Sequence, residues 1–374
     1  MSDVSLPIEN QPVAASARVH LLDWTPEQLG AWFAARGEKS FRATQVFEWI
    51  YQRGATSFEQ MTNLSKTLRE AMSAAFDVFS GEIVRRAASS DGTVKSLIRW
   101  PDGATSECVM IPAETRRTAC ISSQVGCPVG CRFCASGLGG VERNLTPGQI
   151  VEQILRVSAE AVASGERLSN LVFMGLGEPL ANYDAVLAAV RIINAPWSLN
   201  IGARKITIST VGLPKQIRRL AEEGLQVNLA LSLHAPTDDL RAQLIPWAEK
   251  IGIADLTAAC RYYFEKTGRE ITLEYILLDQ VNDRQLHARQ LAKFAKTLRC
   301  NVNLIRYNPV EGLPYGRPSS EATAAFQRHL RDNGVNAHVR TSRGLDIDAA
   351  CGQLRRREQA ETPADAAHGP APIP

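Results

Sequence analysis

The sequence lacks the features of a membrane or secreted protein. No run of about 18 consecutive apolar residues occurs in the chain, so no membrane-spanning helix is predicted. The N-terminal stretch MSDVSLPIENQPVAASAR is polar where a secretory signal would have its apolar core. Internal repeats are also absent. We therefore expect a cytoplasmic protein without a membrane partner.

An excess of charge of one sign is missing as well. The 374 residues include 42 Lys and Arg against 39 Asp and Glu, a net charge of +3. This balance does not by itself indicate nucleic acid, although a local basic surface is compatible with it. The hydrophobic fraction of 45% is ordinary for a globular protein, and the length allows a large catalytic domain and a smaller one.

The cysteines are spaced for metal and redox chemistry, since a chain of this length needs no disulfide framework. Three stand together at C-x₃-C-x₂-C spacing, as Cys127, Cys131 and Cys134, with no fourth at ligand spacing beside them. Thiolates suit iron–sulfur clusters and zinc, but structural zinc usually takes four protein ligands. A 4Fe–4S cluster held by three cysteines would leave one iron open to a small molecule. The alternatives to such a cluster are a structural metal site and a group of redox-active thiols.

Residues 21–78 predict a small helical domain between a disordered tail at 1–20 and the following strands. Thr25-Pro26-Glu27-Gln28 is a capping-box start, and apolar residues then recur at helical spacing. The second predicted tail, 357–374, is rich in Ala and Pro and cannot form a core. The helical domain's outer positions are basic, and they form either a solvated face or contacts to RNA phosphates. These positions are Arg42, Arg53, Lys66 and Arg69.

Residues 79–116 predict an extension built on a β-hairpin at 80–112. Asp91-Gly92 opens the hairpin and Pro101-Asp102-Gly103 turns it. Glu107 lies on the return strand, where a glutamate usually faces solvent.

From residue 117 to 356, apolar strands alternate with amphipathic helices. Strands are predicted at 118–122, 170–175, 205–210, 227–233, 271–277, 302–307 and 336–340, and helices between them include 146–163, 183–193, 213–223 and 285–296. Repeated βα units imply an α/β fold with a parallel sheet, and about six units fit a partial (β/α)6 barrel. Chemistry in such folds sits at the C-terminal ends of the strands.

Polar residues follow several of these strands. The glycines of Met174-Gly175-Leu176-Gly177-Glu178 allow close approach of a ligand, and Glu178 can accept a hydrogen bond from an ammonium group. Strand ends also carry Ser209, Ser232, His234 and Asn308. Near the C-terminus Cys351 stands among small residues, where a buried apolar cysteine is the simpler alternative.

Together these motifs resemble the RlmN/Cfr family of radical S-adenosylmethionine (SAM) RNA adenine methyltransferases. The resemblance spans about residues 21 to 356 and rests on CISSQVGCPVGCRFC, FMGLGEPLAN, ITISTVG, LSLHAP, VNLIRYNP and DIDAACGQL. It implies a radical SAM barrel, a 4Fe–4S cluster and two SAM molecules per turnover. The implied substrates are adenosine 2503 of 23S rRNA and adenosine 37 of tRNAs. Pro179 and the pair Arg343-Gly344 favour methylation of carbon 2 over the carbon-8 alternative of the Cfr branch.

The resemblance also implies a role for individual residues. Cys127, Cys131 and Cys134 would hold the cluster, Cys351 would carry the methyl group, and Cys120 would resolve the intermediate through a transient disulfide. Glu107 would be the general base. The SAM contacts would be Gly177, Glu178, Ser209, Ser232, Leu233, His234 and Asn308.

The same resemblance implies a monomer supplied with electrons by an external, flavodoxin-like donor. Two other classes of function compete with it. A radical SAM enzyme acting on a small molecule or peptide predicts no RNA-binding appendage. A cluster-bearing RNA-binding or redox-sensing protein predicts no SAM pocket.

Overall fold

A computed structural model describes residues 18–354. The predicted tails at 1–20 and 357–374 lie outside this range except for residues 18–20, and residues 355–356 of the predicted barrel also lie outside it. Val19–His20 forms a strand, β1, that pairs in parallel with β2, Phe76–Asp77. Residues 19 and 20, which the prediction assigned to the N-terminal tail, therefore belong to a strand.

The N-terminal region is helical, as predicted. Its helices are α1 Pro26–Ala34, α2 Arg42–Tyr51 and α3 Lys66–Ala75. The predicted capping box is present, because Gln28 N–H donates to Thr25 Oγ1 at 3.3 Å and Thr25 N–H donates to Gln28 Oε1 at 2.8 Å. Phe33, Phe47 and Met72 are completely buried between the helices.

One ten-stranded sheet runs through the rest of the molecule. Its antiparallel part contains β3 Glu82–Ala88, β4 Val94–Arg99, β5 Thr105–Ala113 and β6 Arg116–Cys120. From β6 onward the sheet is parallel, with β9 Asn170–Phe173, β10 Ile206–Thr210, β11 Asn228–Ser232, β12 Ile271–Leu277, β13 Cys300–Arg306 and β14 Ala337–Arg340. A separate two-stranded sheet, β7 Gln124–Gly126 and β8 Val141–Asn144, encloses the three-cysteine loop.

Helices connect the seven parallel strands in sequence order. They are α4 Pro147–Ala163, α5 Tyr183–Asn194, α6 Pro214–Glu222, α7 Asp238–Leu244, α8 Ile253–Thr267, α9 Gln285–Ala295 and α10 Ser320–Asp332. Six crossovers followed by a seventh strand confirm the predicted α/β partial barrel. None of the helices within residues 18–354 has the length and apolarity that crossing a membrane requires.

The predicted hairpin at 80–112 is wrong in extent. Asp91-Gly92 does not open a hairpin but connects two strands, and the first of them, β3, was not predicted. Most β3 residues are exposed, so the strand lacks the buried alternate positions that reveal strands in a sequence. Because β5 also pairs with β6, these strands extend the barrel sheet instead of forming a separate appendage.

The helical domain is attached to α4 through a buried carboxylate. Glu152 accepts hydrogen bonds from the backbone N–H groups of Ser80, at 2.8 Å, and Gly81, at 3.1 Å. His20 Nε2 lies 3.3 Å from the same carboxylate, and Arg156 binds it at 2.7 Å. The Glu152 side chain is fully buried, so it fixes the segment that leaves the helical domain to α4, beside an apolar core that the domain and α4 share.

Candidate active site

The three clustered cysteines occupy a loop between β7 and β8, beyond the C-terminal end of β6. Cys127, Cys131 and Cys134 line one open cleft of about 930 Å³, including space open to solvent. Gly126 has φ +76°, and a Cβ there would lie 2.0 Å from the carbonyl oxygen of Gly140. Glycine is therefore required where the loop closes.

The chemistry of these thiols fits a resident iron–sulfur cluster. Burial raises the pKa of Cys127 to about 12 and also raises the pKa of Cys131 and Cys134. The thiols therefore keep their protons until a metal displaces them. Within residues 18–354 no three His, Cys, Asp or Glu side chains converge as ligands of a single metal ion. A cluster differs, because each cysteine binds a separate iron and the sulfurs stand apart.

The Gly-Leu-Gly-Glu turn after β9 forms a second wall of the cleft. Gly177 has φ +102°, and an added Cβ would lie 2.7 Å from both the Gln124 Cβ and the Ser123 Oγ. Both the backbone conformation and the close packing therefore exclude a side chain at this position. Gly177 and Glu178 line the cleft beside the cysteines.

Glu178 binds two backbone amides. Its carboxylate accepts hydrogen bonds from Leu180 N–H at 3.0 Å and Val211 N–H at 2.8 Å. Burial raises its pKa to about 7 despite these bonds. The side chain thus fixes the turn after β9 to the end of β10, and it has a structural role besides the predicted contact to SAM.

Three further predicted residues line the same cleft at neighbouring strand ends. The hydroxyl oxygens of Ser209 and Ser232 lie 3.3 Å apart. His234 accepts a hydrogen bond from Ile276 N–H at its Nδ1, at 3.1 Å, so its neutral ring carries a hydrogen on Nε2. Burial and the nearby Arg241 charge lower the His234 pKa to about 3. These side chains therefore offer neutral hydrogen-bonding groups.

Two predicted SAM contacts are not brought into the cleft as side chains. Leu233 is completely buried in the main apolar core. Asn308 lies in an adjoining cavity, where its Nδ2 donates to the carbonyl oxygen of Cys351 at 3.0 Å and its Oδ1 accepts from the Ser342 hydroxyl at 2.7 Å. Asn308 thus holds the loop that carries Cys351.

Two of the five cysteines outside the triplet line that adjoining cavity together. Cys120, at the end of β6, and Cys351 both form its wall, and Cys351 also lines the cleft of the three clustered cysteines. Both are free thiols, and residues 18–354 contain no disulfide. The expectation of a disulfide is therefore not supported in this state of the chain.

Glu107 lies in a third cavity, behind the Cys351 loop. The predicted solvent exposure of a strand glutamate is wrong here, since its side chain is only 2% exposed. Lys95 Nζ lies 3.1 Å from Glu107 Oε1. Asp346 and Asp348 line this third cavity, whereas residues 349–351 line the cavity that Cys120 borders. The Cys351 loop therefore separates the Glu107 cavity from the Cys120 cavity.

Sequence reasoning missed an ion pair in the cleft. Arg340 Nη1 lies 3.6 Å from Glu274 Oε2 and donates toward Met174 Sδ at 3.7 Å. Arg340 lines both cysteine cavities, and Cys351 is the principal charge that raises its pKa. Arg340 lies at the end of a predicted strand, β14, and a polar residue at a strand end is the sequence signal that could have identified it. Glu274 lies within β12, where no pattern distinguishes it.

Comparison with known proteins agrees with this arrangement. Residues 19–78 match the ribosomal RNA large subunit methyltransferase N-terminal domain, and residues 121–292 match the radical SAM superfamily. A probable dual-specificity RNA methyltransferase RlmN from Rhodopirellula baltica is 47% identical, over 94% of this chain and 96% of its own. Its counterpart from Geobacillus kaustophilus is 46% identical, over 94% and 96%.

The chain belongs to the RlmN family. A crystal structure of a radical SAM methyltransferase from Sphaerobacter thermophilus shares the fold with a TM-score of 0.89 and 46% identity, covering 90% of this chain and 99% of that one. The predicted family and barrel are thereby confirmed, and the relatives do not favour the carbon-8 branch. The radical SAM superfamily implies a 4Fe–4S cluster and SAM, for which the three-cysteine cleft is the fitting site.

Proposed function

We propose that this protein methylates carbon 2 of adenine in RNA, with adenosine 2503 of 23S rRNA and adenosine 37 of tRNAs as targets. The observation that carries the proposal is the joint cavity of Cys120 and Cys351, which adjoins the cleft of the three clustered cysteines. A radical SAM enzyme for small molecules does not require this pair of thiols, and a cluster-based sensor does not require the glycine turn and strand-end polar groups that line the adjoining cleft. Carbon 8 is the alternative target.

Cys127, Cys131 and Cys134 would hold the cluster, and Gly177, Glu178 and the strand-end polar groups would surround SAM. When bound, the cluster with SAM supplies a 5′-deoxyadenosyl radical. Carbon 2 of adenine is electron-poor, so direct nucleophilic transfer of a methyl group to it fails. A thiolate is a good nucleophile, and Cys351 would take the methyl group first.

Two other side chains would then complete the transfer. The methyl group on Cys351 would give one hydrogen atom to the 5′-deoxyadenosyl radical and bond to carbon 2 of adenine, and Glu107 would remove the carbon-2 proton while one electron leaves to a one-electron acceptor. The Cys120 thiolate then attacks the Cys351 sulfur and breaks its bond to the former methyl carbon. That carbon takes up a proton, so the methylated RNA is released and a disulfide remains. An external dithiol or equivalent reductant restores both thiols. The adenine has to leave its stack to reach the cavity, so a loop or bulge is the expected target.

The partners and location follow from this chemistry. A reducing cytoplasm protects the cluster and the thiols, and a flavodoxin-like donor supplies electrons. The helical domain at 21–78 would bind RNA beside the barrel.

The proposal is tested by mass spectrometry of nucleosides after anaerobic incubation of the loaded protein with SAM, reductant and either 23S rRNA or tRNA. We expect 2-methyladenosine from both RNAs. A main product of 8-methyladenosine would move the protein to the Cfr branch, and absence of any methylated adenosine would reject the function. Protein with Cys127→Ala is the control, since it lacks a cluster ligand.

A further inference from the structure

A buried ion pair lies behind the loop that carries Cys351. Lys95 Nζ on β4 is 3.1 Å from Glu107 Oε1 on β5, and the two side chains are 9% and 2% exposed. Removing charges from water is costly, and a buried charge persists where a partner and hydrogen bonds compensate for the loss. The pair is therefore a specific arrangement and not a solvated contact.

The same ammonium group binds the cysteine loop. Lys95 Nζ donates a hydrogen bond to the carbonyl oxygen of Asp348 at 2.9 Å, three residues before Cys351. An ammonium group has three donors, so it can bind the Glu107 carboxylate and this carbonyl together. Lys95 thus connects the strand that carries Glu107 to the loop that carries Cys351.

The strand and the turn around the pair are anchored independently of Lys95. The Ser122 hydroxyl donates to the Glu107 carbonyl oxygen at 2.6 Å and accepts from Leu176 N–H at 2.9 Å. Asp91, in the turn between β3 and β4, accepts from Gly344 N–H at 3.0 Å at the start of the loop. Loss of Lys95 would therefore remove its contacts to the Glu107 carboxylate and to the middle of the loop while both backbones stay attached.

We propose that Lys95 is a positioning residue for the proton-abstraction step, which keeps the Glu107 carboxylate ionised and fixes it relative to the Cys351 loop. This inference rests on the role proposed above for Glu107. A carboxylate accepts a proton only in its ionised form, and burial disfavours that form unless a cation lies close by.

The other charged side chains that line this cavity differ from Lys95 in exposure or in sign. Arg85 on β3 lines the same cavity but is exposed, so solvent weakens its effect. Asp346 and Asp348 in the loop are negative like Glu107, so they disfavour its ionised form. The Cys108 thiol is on the opposite face of β5, in the apolar core. Removing the Lys95 charge should therefore raise the pKa of Glu107.

The test follows the protein–RNA adduct on a denaturing gel, using the full chain with cluster, SAM, reductant and a 23S rRNA fragment that contains adenosine 2503. Lys95→Met should acquire the methyl group on Cys351 as the parent does. It should release RNA about tenfold more slowly or worse at pH 7, and the rate should recover about one to three pH units higher. Glu107→Gln should trap the adduct at every pH, because its amide cannot ionise.

Three controls separate positioning from general damage. Arg99→Met removes an exposed cation from the same strand, where it pairs with Glu82, and should behave as the parent. Lys95→Met combined with Glu107→Gln leaves no unpaired buried charge and should match Glu107→Gln. In protein without cofactors, residues 345–352 should exchange amide hydrogens faster in Lys95→Met, because the hydrogen bond from Lys95 to the Asp348 carbonyl is lost.

The outcomes distinguish the two proposals. If Glu107→Gln is methylated at Cys351 and releases RNA at the parental rate, the role of Glu107 fails. If Glu107→Gln traps the adduct but Lys95→Met keeps the parental pH profile, the inference about Lys95 is overturned and the proposed function stands. Slower release without a pH shift also overturns it. Lys95→Gln, which keeps a donor without charge, provides the same comparison if the methionine variant does not fold.

Discussion

Cys120 and Cys351 are chemically alike, yet their proposed roles predict opposite consequences of removing them. Cys351→Ala should form no covalent complex with RNA, because the methyl group has no carrier. Cys120→Ala should methylate Cys351, attach to the adenine and stall, since no thiol can displace the RNA. An RNase-sensitive band of reduced mobility on a denaturing gel measures the difference.

The asymmetry separates mechanism from damage. Both thiols line one cavity, so loss of packing or of the cluster would affect the two variants equally. Iron content shows that both variants carry the cluster, and mass spectrometry of Cys351 shows that the Cys120 variant carries the methyl group. An adduct in the Cys351 variant, or none in a loaded Cys120 variant, would contradict the roles.

At the residue scale, sequence reasoning found side chains that belong to short contiguous motifs. Cys127, Cys131 and Cys134 could be found because they lie within eight positions of one another. Lys95 and Arg340 could not, since their partners are distant in sequence and only the fold brings them close. The exposure of Glu107 was mispredicted for the same reason: the loop that covers it comes from the far end of the chain.

At the scale of single elements, the turn after β9 depends on a residue without a side chain. Gly177→Ala places a Cβ 2.7 Å from Ser123 Oγ and Gln124 Cβ at φ +102°. We expect a loss of about 1–3 kcal/mol in unfolding free energy and weaker SAM binding, because the strained turn forms the cleft wall. Urea unfolding of the cofactor-free protein and equilibrium dialysis with SAM measure the two effects.

Gly224→Ala is the matched control for this turn. Gly224 also has a positive φ, +67°, but an added Cβ would meet no atom within 4 Å. It should cost only the backbone strain, about 1–2 kcal/mol, and leave SAM binding unchanged. Equal SAM binding by both variants would show that the shape of the Gly177 turn does not matter to the cofactor.

Strands and helices could be predicted where the burial of one face leaves a periodic pattern of apolar residues in the sequence. All seven parallel strands were predicted within a few residues, because their apolar runs alternate with amphipathic helices. β3 was missed because it is an exposed edge strand with the sequence EIVRRAA, whose burial is not periodic. Asp91-Gly92 was predicted only to open a hairpin, because the sequence could not show that strands lie on both sides of it.

At the scale of the whole molecule, Glu152 joins the helical domain to the barrel. Glu152→Ala would leave the Ser80 and Gly81 amides without their buried acceptor and Arg156 without its partner. Breaking such a buried group costs about 3–5 kcal/mol. Urea unfolding should show this loss at pH 7.

Glu160→Ala on the same helix is the control, since Glu160 pairs with a half-exposed Arg86 and contributes at most about 1 kcal/mol. Burial opposes ionisation of Glu152, but the His20 contact and the Arg156 charge outweigh it and hold its pKa below the usual value. The stabilisation is therefore present above the unfolded pKa, about 4.3, and is lost as pH falls through the lower folded value. A parent-to-Glu152→Ala difference that stays constant in acid would contradict this role.

RNA docking also concerns the whole molecule. When a target base enters the barrel, the rest of the RNA has to be bound by surfaces outside the barrel. The predicted basic positions are not equally free: Arg42 pairs with Glu38 at 2.7 Å, and Arg69 donates to the Glu59 carbonyl oxygen at 2.7 Å. Neutralising all four should still weaken tRNA binding and reduce the slope of log affinity against log salt by about one for each lost phosphate contact. The four are Arg42, Arg53, Lys66 and Arg69.

Filter binding of tRNA across a salt series measures both quantities, and SAM cleavage without RNA should stay at the parental rate. The control removes four exposed cations from α9 and the chain just after it, which changes net charge equally on another part of the surface. Those residues are Arg289, Lys293, Lys296 and Arg299.

The two quadruple variants distinguish a specific RNA surface from an effect of overall charge. If binding depends on overall charge, both variants should lose affinity for tRNA equally. If the helical domain holds RNA, only the first loses affinity and salt dependence, because counterions are released only where phosphates contact cations. Unchanged affinity in the first variant would leave its four residues as a solvated face whose contacts are all internal to the helical domain.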